Sequence, residues 1–136
     1  MENVVSLEVA QQEVNKWLDS KKIKEKARET HSESIESLVS SVADSTLILN
    51  DDNSFCHKLN FQVLSESGEP ILSELVYKNR LTVGEVNMAN KGVAHNDVDG
   101  RILTYMSVLT NTPKGKLMKL DTQDYAVARS IVVFFL

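Results

Sequence analysis

The apolar residues between positions 46 and 77 repeat at a different period from those on either side. From Phe55 to Val63, every second side chain is apolar or histidine and most of the residues between them are polar, which is the period of a strand. Turn residues precede this run at 50–53 and follow it around Gly68. With the short runs 46–49 and 71–77, the stretch predicts an antiparallel meander of three strands.

The chain before the meander has the period of helices. Apolar residues recur at steps of three and four from Ser6 to Ser20, and Thr30 with Glu33 matches a capping box for a second helix that ends near Asp44. Between these helices, residues 21–29 are mostly charged and predict a solvated face or linker. We therefore expect a helix and charged linker over 1–30 and an α+β domain over 31–136.

The chain after the meander predicts three more helices. Thr82 and Glu85 form a capping box for the first, and Asn96 or Asp97 caps the second. Asp121 and Asp124 are expected to act as acidic caps of the last helix, which continues to the end of the chain. The predicted fold class is α+β, with N-terminal helices, a three-stranded antiparallel meander, and three C-terminal helices packed on the sheet.

Charge and cysteine content exclude several classes of protein. A net charge of -4 and a pI near 5.4 argue against a nucleic-acid partner, because proteins bind the phosphates of nucleic acids mainly through basic surfaces. The longest apolar stretch, Tyr125–Leu136, would span only about 18 Å as a helix, so no membrane association is expected. The single Cys56 and the absence of an export signal over Met1–Leu7 predict a cytoplasmic setting.

The residue types used in catalysis do not form an active-site pattern. His31, His57 and His95 are far apart in sequence, and strand geometry places Cys56 and His57 on opposite faces. The five glycines do not form a phosphate-binding loop. The chain is therefore expected to be no enzyme and to need no cofactor.

One partial metal motif lies at residues 95–100. Asp97, Asp99 and Gly100 match the third, fifth and sixth positions of a calcium loop, but His95 and Met106 occupy the first and twelfth, where carboxylates are needed. Helix capping explains the same residues. We expect no metal site, and a small cation-binding or hydrolytic protein stays the second alternative.

The last six residues are the candidate partner-binding site. A helix that is apolar on every side is often core, but one small sheet cannot readily bury all of these side chains. The expected contact residues are Ile131, Val132, Phe134, Phe135 and Leu136.

From about Ser37 to Leu136, the chain resembles the tail assembly chaperones of tailed bacteriophages, particularly those of Mu-like and related phages. The resemblance depends on the strand pair around 47–63, on the segment 77–85, and above all on the order of motifs near the end. That order is Leu109-Thr110-Asn111-Thr112-Pro113, then Leu120-Asp121 with Asp124, then Ile131-Val132-Val133-Phe134-Phe135-Leu136.

The resemblance implies a non-enzymatic chaperone in the host cell cytoplasm. Such a protein would bind the tape measure protein, keep this long helical chain unaggregated, and assist assembly of the tail tube, with the tail tube protein as a possible second partner. Self-association into a homo-oligomer is expected. The first alternative is a structural tail or neck subunit of the virion, which would use the same apolar helix in a permanent interface.

Overall fold

A computed structural model describes residues 5–136, so the prediction that Met1–Leu7 carries no export signal lies partly outside the described residues. Seven helices and three strands make up this part of the chain, which confirms the α+β class. In chain order the elements are α1 (Leu7–Ser20), α2 (Glu25–Thr30), α3 (Ser32–Ala43), β1 (Leu47–Leu49), β2 (Phe55–Leu64), β3 (Pro70–Tyr77), α4 (Val83–Ala89), α5 (Val98–Thr110), α6 (Lys114–Leu117) and α7 (Thr122–Val132).

The three strands form the predicted antiparallel meander, in the order β1-β2-β3. Cys56 at the centre of the sheet lies opposite Ile48 on one side and Val76 on the other. Both connecting turns contain a residue with positive φ, Asn53 at 66° and Gly68 at 88°. These are residue types that adopt the left-handed region at low cost, so the turn chemistry fixes the register.

The N-terminal helices differ from the prediction in one place. Ser6 caps α1 by accepting a hydrogen bond from the backbone N–H of Val9. The capping box predicted at Thr30 and Glu33 is wrong: α3 begins after His31, without a side-chain cap, and the Thr30 hydroxyl donates to the Lys26 carbonyl instead. Thr30 therefore ends α2 rather than starting α3.

The region after the sheet contains four helices instead of the predicted three. Asn111, in the left-handed conformation with φ 52°, ends α5, and the single-turn helix α6 follows Pro113. Helix α5 packs against β3, and α7 packs against β2, α3 and α5. The neighbour of α4 is α5 rather than the sheet, so the expectation that all C-terminal helices pack on the sheet is only partly correct.

One hydrophobic core includes residues from both ends of the chain. Val14, Trp17 and Leu18 of α1 are almost fully buried, together with Phe55 of β2 and Ile131 of α7. Burying a tryptophan and two aliphatic side chains contributes several kcal/mol, about 1.5–3 for each aliphatic residue. Residues 1–30, as far as they are described, share the core of residues 31–136 and are not an appendage with a core of their own.

Candidate functional site: an exposed helix between two grooves

Helix α4 is the most exposed helix in the second half of the chain. Each of its seven residues is at least partly accessible to solvent. Val83 is 77% exposed and Met88 is 68% exposed, although both are large and apolar. Exposed apolar side chains that gather on one element, rather than being scattered singly, indicate a contact surface.

Polar contacts at its first turn hold α4 in place. The Thr82 hydroxyl accepts from the Glu85 N–H, and the Glu85 carboxylate accepts from the Thr82 N–H, so the predicted capping box is confirmed. The ammonium of Lys78 lies 2.6 Å from the same carboxylate. This ion pair and the cap lower the pKa of Glu85, with the Lys78 hydrogen bond as the largest cause. The start of α4 is therefore fixed by polar contacts at the end of β3, in addition to the packing of Leu81 and Val86 against the core.

Two grooves flank α4. The larger, of about 800 Å³, separates α4 from β3 and α5, and the smaller, of about 230 Å³, separates its other side from α5 and the end of the chain. We call α4 with these two grooves the α4 surface. Apolar side chains that line it are Val76, Met88, Ala89, Val108 and Leu109 in the larger groove, and Leu81, Val83, Val86, Tyr105 and Phe135 in the smaller.

The segment that carries α4 is basic, although the chain is acidic overall. Residues 78–91 contain three cationic side chains, Lys78, Arg80 and Lys91, and one anionic side chain, Glu85. Their sum is +2 in a chain whose net charge is -4. All three cationic side chains are exposed, but only Lys78 lines one of the two grooves, where it pairs with Glu85.

The predicted partner-binding residues are mostly core residues. Ile131 and Val132 have no exposed surface, and Phe134 is buried with its ring centroid 5.7 Å from that of Trp17 in an edge-to-face arrangement. These three side chains cannot contact a partner in this folded state, because Trp17 of α1 covers Phe134, and α7 packs against α3, α5 and β2. Phe135 is half-buried and lines the smaller groove, and Leu136 is exposed.

The sequence predicts that the last helix continues to the end of the chain, and this prediction is wrong. Helix α7 stops at Val132, and the next residues form a tighter turn in which the Phe135 N–H donates to the Val132 carbonyl at 2.8 Å. This turn directs Phe134 and Phe135 back towards Trp17. Of the five contact residues expected from the sequence, only Phe135 and Leu136 remain accessible.

Asp124 is not the helix cap that the sequence predicts. Asp121 alone caps α7, by accepting from the Gln123 N–H. The Asp124 carboxylate is fully buried and accepts from the backbone N–H groups of Asn60 and Phe61, at 2.9 and 3.0 Å. These two N–H groups lie where the β2–β3 register shifts. A buried carboxylate thus replaces the ladder hydrogen bonds that the irregular strand cannot form.

His57 lies beside Asp124 in the core, with its Nε2 3.4 Å from a carboxylate oxygen but without a well-aligned hydrogen bond. Burial lowers the pKa of His57, and the carboxylate opposes part of that shift. Cys56 lies on the other face of the sheet, as predicted, where its thiol contacts Glu74 at 3.3 Å. Burial and Glu74 raise the pKa of Cys56, which disfavours the nucleophilic thiolate.

Lys21 was expected in a solvated charged run and is instead buried. Its ammonium donates to the Asn79 carbonyl at 2.7 Å and lies 3.4 Å from the centroid of the Phe135 ring. Burial, with the nearby charge of Arg80, lowers the pKa of Lys21 to about 8. Lys21, at the end of α1, therefore contacts both the loop after β3 and the end of the chain.

The residues of the partial calcium motif make contacts within the protein. Asp97 caps α5 by accepting from the Gly100 N–H, and Asp99 accepts a hydrogen bond from the Tyr125 hydroxyl at 3.1 Å. Burial and this hydrogen bond raise the pKa of Tyr125 to about 12. Among residues 5–136, no cluster of three or more histidine, cysteine or acidic side chains is arranged to hold a metal ion.

Sequence reasoning missed Val83 and Met88 as site residues. The sequence did contain a signal for exposed apolar side chains. The predicted helix is short and has apolar side chains on more than one side, and these cannot all face a single neighbour. Which of them remain exposed depends on α5 and β3, whose positions follow from the tertiary fold.

Comparison with protein-family models, with curated proteins and with solved structures finds no significant match to this chain.

Among the described residues, no helix combines the length and apolar character that crossing a membrane requires.

Proposed function

We propose that this chain is a tail assembly chaperone of a tailed bacteriophage, which binds the tape measure protein in the host cytoplasm and assists tail tube assembly without catalysing a reaction. The observation that carries the proposal is the α4 surface. Its exposed Val83 and Met88, placed between two partly apolar grooves, provide a binding site for one apolar stripe of a helix.

The chemistry of the α4 surface suits a reversible contact. Methionine is flexible and polarisable, so an exposed Met88 adapts to partner side chains of different shape. The anchoring of α4 by Glu85 and Lys78 leaves its apolar side chains free for a partner. A chaperone must release its client, and a surface with a preformed shape and few charged hydrogen bonds favours moderate affinity.

The buried histidine supports the non-enzymatic part of the proposal. His57 and Asp124 are a pair of residue types that general acid–base catalysis uses, but neither has any exposed surface. A substrate could reach them only if the core opened. Their position between α7 and the irregular part of β2 fits a structural role.

Co-expression with the tape measure protein of the same phage tests the proposal. The wild-type chain should keep the tape measure protein in the supernatant and co-purify with it, while Met88→Glu should lose both effects. Met118→Glu is the matched control, because Met118 is 72% exposed on a different part of the molecule.

A tape measure protein that stays in solution without this chain, and never co-purifies with it, would contradict the proposed function. Equal loss of binding in both methionine variants would contradict the assignment to the α4 surface alone. Mass spectrometry of purified particles separates the chaperone from a structural tail or neck subunit, since only a subunit remains in the particle in fixed copy number.

A further inference from the structure

The β2–β3 hairpin has two halves that are joined by an irregular segment. Regular pairing covers residues 55–58 of β2 and resumes at Val63, with a register shift between them. Within the irregular segment, the backbone N–H groups of Asn60 and Phe61 donate to the buried carboxylate of Asp124 on α7, at 2.9 and 3.0 Å. A carboxylate from another element therefore fixes the hairpin at the point where its own ladder is interrupted.

Beyond the interruption, the hairpin has few contacts with the core. We call residues 60–72 the distal hairpin. Val63 is its only buried residue, whereas Phe61 and Leu64 are about half exposed. Segments that bury few apolar side chains open at a lower free energy than the core does. The irregular segment is thus a hinge, and its hydrogen bonds to Asp124 keep the hinge closed.

A buried histidine lies beside this carboxylate. His57 has no exposed surface, and its Nε2 lies 3.4 Å from the Asp124 oxygen that accepts from Asn60. Among residues 5–136, neither ring nitrogen has a hydrogen-bond partner. Burial lowers the pKa of His57 below 6.5, and the carboxylates of Asp124 and Asp44 oppose part of that shift. In the closed hairpin, His57 is therefore mainly neutral at pH 7.

The titratable groups that face His57 offer one acceptor for a proton on its ring. They are Asp124 on α7, Asp44 at the end of α3, and Tyr77 on β3, with the apolar Leu47 of β1 and Leu75 of β3 directly opposite the histidine. The Asp44 carboxylate already accepts from the N–H and the hydroxyl of Thr46. Tyr77 keeps its proton, because burial and then Asp124 raise its pKa. A protonated His57 would therefore pair with Asp124.

We propose that His57 is the acid trigger of the hinge: its protonated ring draws Asp124 away from Asn60 and Phe61 and frees the distal hairpin. A charge-assisted N–H···O bond is about 2.7–2.9 Å long, so the carboxylate must move towards the ring from 3.4 Å. The two strand N–H groups then lose their acceptor, and they regain hydrogen bonds if the strand moves out to water. The irregular segment absorbs this movement, because it has no regular pairing to break.

The population of the open hairpin should rise as the pH falls. The pKa of His57 is below 6.5 while the hairpin is closed, and it returns to its ordinary value once the ring reaches water. The open state therefore binds more protons than the closed state in this range. Between pH 7.5 and 5.5 the equilibrium constant for opening should increase by up to about tenfold.

Native-state hydrogen exchange at pH 7.5 and 5.5, measured at several low urea concentrations, tests the trigger. The opening constant at Asn60 and Phe61 should rise about tenfold at the lower pH. It should not depend on urea, because a local opening exposes little surface, whereas the buried amides of α1 should depend on urea. His57→Gln should abolish the rise. His95→Gln is the matched control on an exposed histidine and should keep it.

A second measurement needs only the wild-type chain. NMR of the His57 ring between pH 7.5 and 5.5 should give a titration midpoint below 6.5, since the closed hairpin disfavours the charged ring. A midpoint at or above 6.5 would overturn the proposal, because the core would then accept the charge without opening. This result stands even if His57→Gln fails to fold.

Three exchange results would also overturn the acid trigger. They are an opening constant at Asn60 and Phe61 that is equal at both pH values, a urea dependence equal to that of α1, and a pH response that survives in His57→Gln. The residues of the hinge and its trigger do not line the α4 surface, and no tape measure protein is needed. Failure here would therefore leave tape measure binding in place, and failure of tape measure binding would leave the hinge in place.

Discussion

Helices α4 and α7 have similar apolar content, four of seven and six of eleven residues, but differ in exposure. The apolar helix α7 fits between α3, α5 and β2, and its side chains Val127, Ala128 and Ile131 are buried. The shorter helix α4 lies beside α5 and exposes Val83 and Met88. The comparison teaches that the neighbours of a helix, rather than its composition, decide whether its apolar side chains form core or binding surface.

The two helices are also anchored differently. Asp124 of α7 reaches into the sheet and binds two backbone N–H groups there, so removing it would expose buried polar atoms to an apolar environment. Glu85 of α4 binds Thr82 and Lys78 at the protein surface. We therefore expect changes in α7 to alter stability and changes in α4 to alter binding. The following predictions test this division, from the largest effect to the smallest.

Truncation after Ser130 should leave the chain unfolded. It removes three buried side chains, Ile131, Val132 and Phe134, each worth about 1–4 kcal/mol, from a domain whose whole stability is of order 5–15 kcal/mol. Circular dichroism and urea titration measure the effect, with deletion of Leu136 alone as the control. A truncated chain that unfolds cooperatively at the wild-type urea midpoint would mean that α7 contributes little to the core.

Replacing Asp124→Ala should lower the free energy of unfolding by about 3–5 kcal/mol, because two buried N–H groups lose a charged acceptor. Asp121→Ala, which removes only an N-cap, should cost about 1 kcal/mol. Urea unfolding of both variants gives the comparison. Equal losses would place Asp124 in the ordinary capping role that the sequence suggested.

Raising the pH from 8 to 9 should increase the free energy of unfolding by up to about 1 kcal/mol. The pKa of Lys21 is about 8 in the folded chain and near 10.5 in the unfolded chain, so in this window the unfolded chain binds more protons. The free energy of unfolding therefore rises between pH 8 and 9, and this gain is lost as the pH falls through 8. The ring of Phe135, close to the ammonium, offsets part of the effect.

Lys21→Met provides the control for the pH experiment, because its stability should no longer rise over the same interval and should fall slightly, since folding raises the pKa of Cys56. Arg80→Gln should move the rise to higher pH, since the charge of Arg80 helps to lower the pKa of Lys21. A wild-type chain whose stability does not change between pH 8 and 9, or a Lys21→Met variant that keeps the full rise, would contradict the assignment to Lys21.

Met88→Glu should change the free energy of unfolding by less than about 0.5 kcal/mol, because its side chain already lies in water. The same variant is expected to lose partner binding, which would separate stability from function on α4. Thermal unfolding and co-purification, measured on the same preparation, check both parts. A large loss of stability would mean that the grooves beside α4 are more closely packed than the structure describes.

The elements set by local patterns could be predicted from the sequence. Alternation from Phe55 to Val63 gave β2, the turn residues gave both hairpins, and Thr82 with Glu85 gave the start of α4. Each of these depends on residues within a few positions of one another. The capping box at Thr30 and Glu33 was predicted wrongly from such a local pattern. The helix that it should cap begins after His31, one residue later than the motif requires.

The features missed depend on residues far apart in sequence. Asp124 matched a cap because it lies near a helix start, but its hydrogen-bond donors are 63 and 64 residues away. Lys21 lies in a charged run, and its burial depends on Asn79 and Phe135. The prediction that Phe134 binds a partner failed for the same reason, because Phe134 is buried against Trp17, a residue of the first helix.

The contact between Trp17 and Phe134 also constrains when the chain can fold during synthesis. Trp17 is made early and stacks against Phe55 at 4.8 Å, but the faces that Phe134 and Phe135 cover stay open until those residues leave the ribosome. Contacts between such distant residues form slowly, because a long loop must close first. The faces of Trp17 that Phe134 and Phe135 cover therefore stay exposed until residues 134 and 135 are made, although α3 can cover the rest of the apolar side of α1 earlier.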